Sequence, residues 1–226
     1  MIAIMDIQCV VFDFDGTLVD SNFIKKEAFF YIVSDLRDGR KILEEILCGP
    51  KVGDRHDILS RFVAQCGLPS STTSDLATLY TDLTEKLVSE CPFMPGAEET
   101  LRILNDRGYR LYINSATPDA SLERILRQRE MAGWLSGWFG SALSKADNLQ
   151  KIAARESLAA KDLVFVGDGA DDQEAALAVG CLFVPVFEGR GARHSQPLTD
   201  LTALLEIIRC RGAAFTNDAP RFNLEE

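Results

Sequence analysis

Short runs that are apolar at every position alternate along this chain with stretches that are apolar at every third or fourth position. Runs of the first kind, the second and third edged by polar residues, are Cys9-Val10-Val11-Phe12, Arg110-Leu111-Tyr112-Ile113-Asn114, Asp162-Leu163-Val164-Phe165-Val166 and Cys181-Leu182-Phe183-Val184-Pro185-Val186. Strands buried on both faces of a parallel sheet have this composition. The second kind, roughly 97–107, 118–131, 147–158, 171–179 and 198–209, predicts amphipathic helices between them. Strand and helix in alternation predict a doubly wound α/β fold with helices on both faces of one sheet.

One connection is too long for that scheme. A crossover between parallel strands needs about a dozen residues including its helix, whereas the first run ends at Phe12 and the second opens at Arg110. The intervening segment reads as helices at Phe23–Ser34, Arg40–Leu47, Asp54–Cys66 and Ser74–Ser89, and closes on the Pro/Gly-marked Pro92-Phe93-Met94-Pro95-Gly96. Two readings compete: the helices extend the main core, or they form a separate lid above the first strand. The second is preferred. The expected architecture is a Rossmann-like core over 1–20 and 93–210, an inserted helical cap over 21–92, and a C-terminal tail over 211–226.

Charge and composition narrow the function. Lys and Arg number 24 against 34 Asp and Glu, a formal charge of −10, with no basic cluster. No nucleic-acid partner is therefore expected. The opening MIAIMDIQ lacks a basic segment, and nothing approaches eighteen consecutive apolar residues, so neither a secretory signal nor a membrane span is expected. Six cysteines without CxxC spacing read as reduced thiols of a cytoplasmic protein. Two histidines give histidine-based chemistry little to work with.

Ligands of open parallel sheets bind at the carboxyl ends of the strands, and those ends are rich in chemistry. The first run leads into Asp13-Phe14-Asp15-Gly16-Thr17. Asp-Gly is an ordinary turn pair, which accounts for Asp15 and leaves Asp13 unexplained. Two carboxylates so close to a buried strand call for a cation. The second run leads into Ser115-Ala116-Thr117-Pro118, which reads as a helix entry with Thr117 as N-cap and Pro118 at the first helical position. Ser115 there is either part of the cap or an anion ligand. The third run leads into Gly167-Asp168-Gly169-Ala170-Asp171-Asp172. Acids at a helix start explain Asp171 and Asp172, but not Asp168, which ends a strand. Together with Asp13 these make a hard oxygen-donor set suited to Mg2+. Lys145 is preferred over Lys151 as the lysine that balances a phosphate, because Lys151 falls inside a helix.

These four segments, in this order, resemble the haloacid dehalogenase (HAD) superfamily of phosphatases. The helical insertion resembles the cap of phosphoglycolate-phosphatase-like and β-phosphoglucomutase-like members. The resemblance implies a Mg2+-dependent phosphatase acting on a small phosphorylated metabolite through an aspartyl-phosphate. It implies Asp13 as nucleophile and Asp15 as acid and base. It further implies Asp13, the Asp15 backbone carbonyl, Asp168 and Asp172 around the metal, and Ser115, the Ala116 amide and Lys145 around the phosphoryl group. In the cap, the loop from Cys48 to His56 offers Lys51, Arg55 and His56 as substrate contacts. A phosphosugar mutase and a catalytically silent binding or regulatory protein are the alternatives. Asp20-Ser21-Asn22-Phe23-Ile24-Lys25 lacks the histidine common in mutase-like members, and every catalytic position holds a competent residue.

Overall fold

Alternate residues of the apolar runs face opposite sides of one sheet, and each side has its own helices. The computed structural model describes residues 7–49, 52–187 and 197–213, the last four by backbone alone. In chain order the elements are β1 (Cys9–Phe12), α1 (Asn22–Ile32), α2 (Gly39–Leu47), α3 (Arg55–Gln65), α4 (Thr72–Glu90), α5 (Ala97–Asp106) and β2 (Arg110–Asn114). There follow α6 (Asp119–Gln128), β3 (Gly137–Phe139), α7 (Lys145–Glu156), β4 (Leu163–Gly167), α8 (Ala170–Val179), β5 (Leu182–Pro185) and α9 (Leu204–Ala213). All strand pairs are parallel, in the order β3-β2-β1-β4-β5.

Val11 lies opposite both Tyr112 and Phe165, so its neighbours Val10 and Phe12 fall on the other face. Val10, Phe12, Leu111, Ile113, Val164 and Val166 pack with Leu101 and Leu104 of α5, Leu122 and Ile125 of α6, and Leu204 and Ile208 of α9. Cys9, Val11, Tyr112, Leu163 and Phe165 pack with Leu149 and Ile152 of α7 and Ala175 and Ala176 of α8. Each Val, Leu, Ile or Phe side chain among these, fully buried, contributes about 1.5–3 kcal/mol, which is why these strands read as apolar runs.

Two departures from the sequence reading have plain causes. Strand β3 was not expected: it is a three-residue edge strand, Gly-Trp-Phe, too short to show a period. Its Gly137 lets the Tyr112 ring lie against the backbone, since a Cβ there would stand 2.9 Å from that ring. The helix expected at 198–209 starts later. Asp200 caps a short 3-10 turn at Leu201–Ala203, and α9 then runs on to Ala213, into the segment read as tail. Residues 214–226 of that tail lie outside the described residues.

Helices α1 to α4 form the cap and have their own apolar cluster, built on Phe29, Phe30, Leu43, Ile58, Leu59, Phe62, Leu76 and Tyr80. The Phe29 and Tyr80 rings stack at 4.2 Å. Asp54 caps α3, accepting from the His56 and Asp57 amides, while the Asp57 carboxylate accepts the Asp54 amide. The cap is tied to the core at α4. Arg124 of α6 grips Glu85 through two bonds of 2.6 and 2.7 Å. Arg129 donates to the Val88, Ser89 and Cys91 carbonyls at the end of α4 and lies 4.6 Å over the Phe93 ring. Charge-assisted bonds of this kind contribute more than neutral ones. Arg129→Met is therefore expected to cost about 2–3 kcal/mol, read from the denaturant midpoint; a change under half of that would show that water replaces the guanidinium at those carbonyls.

The described cysteines Cys9, Cys48, Cys66, Cys91 and Cys181 are free thiols. Burial pushes the thiols of Cys9 and Cys181 up to about 12 and about 11, so neither is nucleophilic at neutral pH. Among the described residues, no helix is long and apolar enough to cross a membrane.

Candidate active site

Strand order reverses at β1, whose neighbours are β2 on one side and β4 on the other. The carboxyl ends of these three strands are where an open α/β sheet forms its crevice. Asp13 leaves β1 with its amide bonded to the Val166 carbonyl at 2.8 Å. The chain then turns tightly at Gly16, whose φ is +78° and whose amide donates to Val19. A Cβ at Gly16 would stand 2.0 Å from Asn22 Nδ2 and 2.5 Å from Asp168 Oδ2, so only glycine fits. The turn also aims Thr17 Oγ1 at Asp168 Oδ1 (2.8 Å), while Asn22 Nδ2 donates to Asp168 Oδ2 (3.0 Å).

One carboxylate oxygen each from Asp13, Asp168 and Asp172 lie within 4.8 Å of one another. Asp13 is 5 % exposed and Asp172 1 %. Asp172 accepts the Gly169 amide at 3.0 Å and sits against Gly167, where a Cβ would come within 2.5 Å of it. Lys145 Nζ reaches Asp13 at 3.0 Å, Asp172 at 2.5 Å and Asp171 at 2.8 Å. Even so, burial outweighs the lysine. Burial, with Asp172, Asp168 and Asp15 alongside, pushes the Asp13 carboxyl well above the ordinary carboxylate range. Burial likewise raises Asp172 to about 6 and lifts Asp168 against the bonds from Thr17 and Asn22. A clustered set of hard oxygen donors, short of positive charge, fits a divalent cation.

Ser115 and Lys145 are brought to the same edge. Ser115 directly follows β2, buried, and its Oγ accepts the Thr117 amide at 3.1 Å. Ala116 is exposed beside it. Lys145 is the first residue of α7, whose N-cap Ser144 accepts the Asp147 amide. Asn114 anchors that helix start: its Nδ2 donates to the Lys145 carbonyl (2.9 Å) and its Oδ1 accepts from Asn148 (3.0 Å). Lys151, the competitor, is exposed on the same helix.

Thr117 is not the helix cap expected from the sequence. Helix α6 starts at Asp119 with Pro118 before it, and no side chain caps it. The Thr117 hydroxyl turns instead to Asp15, donating to Oδ2 at 3.1 Å. Lys25 of α1 ion-pairs with the same oxygen and donates to Thr117 Oγ1 at 2.9 Å, and Ser21 Oγ donates to Asp15 Oδ1 at 2.7 Å. Burial pushes the Asp15 carboxyl up, but Lys25, Ser21 and Thr117 together outweigh it and hold it below its ordinary value. Lys25, Thr117, Thr17 and Asn22 were all missed as site residues. Lys25 and Asn22 stood in the stretch read only for a missing histidine.

The cap candidates separate. Arg55 opens α3 and lines a small cavity between cap and core with Lys25, Tyr80, Thr84 and Thr117. Its Nε is buried and has no hydrogen-bond partner among the described residues, and burial lowers its pKa. His56, next on the helix, is exposed. Lys51 lies outside the described residues.

The chain is 27 % identical to a phosphoglycolate phosphatase of Aliivibrio fischeri, over 86 % of this chain and 89 % of that one. It is 26 % identical to a phosphoserine phosphatase of Methanocaldococcus jannaschii, over 88 % and 97 %. Among solved structures, a predicted phosphoglycolate phosphatase from Haemophilus somnus superposes with a TM-score of 0.71 at 22 % identity, covering 89 % of this chain and 98 % of the other. The HAD-hydrolase YfnB of Bacillus subtilis, solved bound to magnesium, does so with 0.69 at 15 %, again over 89 % and 98 %. These two show the fold. The family model for haloacid dehalogenase-like hydrolases matches residues 7–180, from before β1 to the end of α8, and so includes every strand-end residue described above: the chain belongs to that family.

Proposed function

We propose that this protein is a Mg2+-dependent phosphatase that hydrolyses a small phosphomonoester through Asp13. The observation that carries the reading is the carboxylate cluster of buried Asp13 and Asp172 and half-buried Asp168, with Lys145 bonded to the two buried members. Asp13 attacks phosphorus, the ester P–O bond breaks, and Asp15, which enters the step protonated although Lys25, Ser21 and Thr117 favour its ionised form in the free protein, delivers that proton to the departing alkoxide. Asp15 then takes a proton from the water that cleaves the aspartyl-phosphate. Ser115, the Ala116 amide and Lys145 hold the phosphoryl oxygens. Mg2+ would be held by Asp13, Asp168, Asp172 and the Asp15 carbonyl, and would supply charge that offsets the repulsion between carboxylate and phosphate.

The substrate reading is a phosphorylated metabolite with a second anionic group, met by Arg55 from the cap. An arginine with a buried, unpaired Nε beside the site supports it, as do relatives named for phosphoglycolate and phosphoserine, both of which carry a carboxylate. Free cysteines support a cytoplasmic location. The experiment is phosphate release from a panel of esters, with and without Mg2+. Arg55→Ala is expected to raise KM for the preferred ester about tenfold or more and to leave 4-nitrophenyl phosphate nearly unchanged; equal losses on both would remove Arg55 from substrate recognition.

A further inference from the structure

The two active-site lysines take different carboxylates. Lys145, from the core, takes Asp13, Asp171 and Asp172. Lys25, from the cap, takes Asp15. Helical spacing explains how. Ser21 and Lys25 are four apart, the Lys25 amide bonds the Ser21 carbonyl at 2.9 Å, and both side chains emerge on the face of α1 that looks down on Asp15. Lys25 is fixed from behind, because its carbonyl accepts the Tyr80 hydroxyl of α4 at 3.2 Å. It is fixed in front by Thr117 Oγ1 at 2.9 Å. Asp15 is thus gripped by Ser21 and Lys25 from the cap and by Thr117 from the core, with both carboxylate oxygens engaged. The control is built into the same helix: Lys26, the next residue, is exposed.

We propose that Lys25 is a positioning residue for the phosphatase reaction, acting through Asp15: from the cap it fixes the orientation of the Asp15 carboxylate toward the ester oxygen and the hydrolytic water. Asp15 has to face one atom in each half of the reaction, and without Lys25 it keeps Ser21 on Oδ1 and Thr117 on Oδ2 but loses the ion pair that holds Oδ2. Placing the lysine on the cap makes correct Asp15 geometry depend on the cap being seated, which links closure to chemistry. The inference rests on the phosphatase reading given above.

The test is a double-substitution cycle on 4-nitrophenyl phosphate with Mg2+, using Lys25→Met, Asp15→Asn, the double variant, Lys25→Arg and Lys26→Met. Lys25→Met is expected to lower kcat about ten- to a hundredfold with KM nearly unchanged. In the Asp15→Asn background the same change is expected to lower kcat less than about threefold, because the residue it acts through is already gone. Lys25→Arg should recover part of the loss, and Lys26→Met should behave as wild type. A second readout needs no turnover: the side-chain carboxyl 13C resonance of Asp15 should shift in Lys25→Met and stay in place in Lys26→Met. Equal losses in both backgrounds, a change confined to KM, or an unmoved Asp15 resonance would overturn the assignment. Wild-type turnover that is absent, or that survives Asp13→Asn, would overturn the phosphatase reading and this inference with it. Additive losses with Asp13-dependent turnover intact overturn the role of Lys25 alone.

Discussion

Asp13→Asn is expected to abolish Mg2+-dependent phosphate release, a loss of about 10^4-fold or more, while the folded protein becomes no less stable. Both halves follow from the same geometry. The amide has the shape of the carboxylate but is no nucleophile, so the covalent step is lost outright. Stability responds the other way because Asp13 is 5 % exposed and shares its pocket with Asp15, Asp168 and Asp172. Their mutual repulsion and burial already push its carboxyl well above the ordinary range, so removing its charge relieves strain that function requires. The check is paired: phosphate release with Mg2+, and thermal unfolding without it, on the same preparations. Residual turnover within tenfold of wild type would remove Asp13 as nucleophile. A clear drop in melting temperature would show instead that its bond with Lys145 outweighs the repulsion.

How much of this was legible in the residues depended on the range of the interaction. Strands β1, β2, β4 and β5 were readable because burial on both faces leaves an apolar run with no polar interruption. The cap helices were readable because amphipathic periodicity survives over several turns. Strand β3 has three residues, all half-buried, and offered no signal. Within the site, Asp13, Ser115, Lys145 and Asp168 sit where strands or helices begin or end, and position along the chain was enough to suggest them. Lys25 and Thr117 differ. Their meaning lies in meeting each other across 92 positions and meeting Asp15 together. A lysine on the first turns of an amphipathic helix and a Ser/Thr before a proline each have a commonplace local explanation, a solvated face and a helix cap. Only the turn at Gly16, which folds α1 back over the strand end, gives them another. The spacing of Ser21 and Lys25 on one helical face is the available clue, in a stretch whose more conspicuous feature is its lack of a histidine.

Lys145→Met is expected to destabilise the protein without metal and to lower activity, and Mg2+ should separate the two effects. Lys145 is 13 % exposed at its side chain and bonds to Asp13, Asp171 and Asp172. Methionine keeps the length of the stem and removes the charge. Asp172, 1 % exposed, keeps the Gly169 amide on one oxygen and loses its partner on the other. Breaking a buried pair from one side costs about 3–5 kcal/mol; part of the site is open to solvent, so about 3 kcal/mol is expected, or a fall of about 6–12 °C in melting temperature for a chain of this size. Activity should fall about 10^2- to 10^3-fold, the usual consequence of removing one donor to a charged transition state. Saturating Mg2+ brings charge to the same carboxylates and should restore much of the lost melting temperature. It cannot take the place of an ammonium on the phosphoryl oxygens, so turnover should stay low. Were activity to return along with stability, Lys145 would be a counter-ion of the carboxylates alone, and the phosphoryl group would have to be held by Ser115 and the Ala116 amide without it.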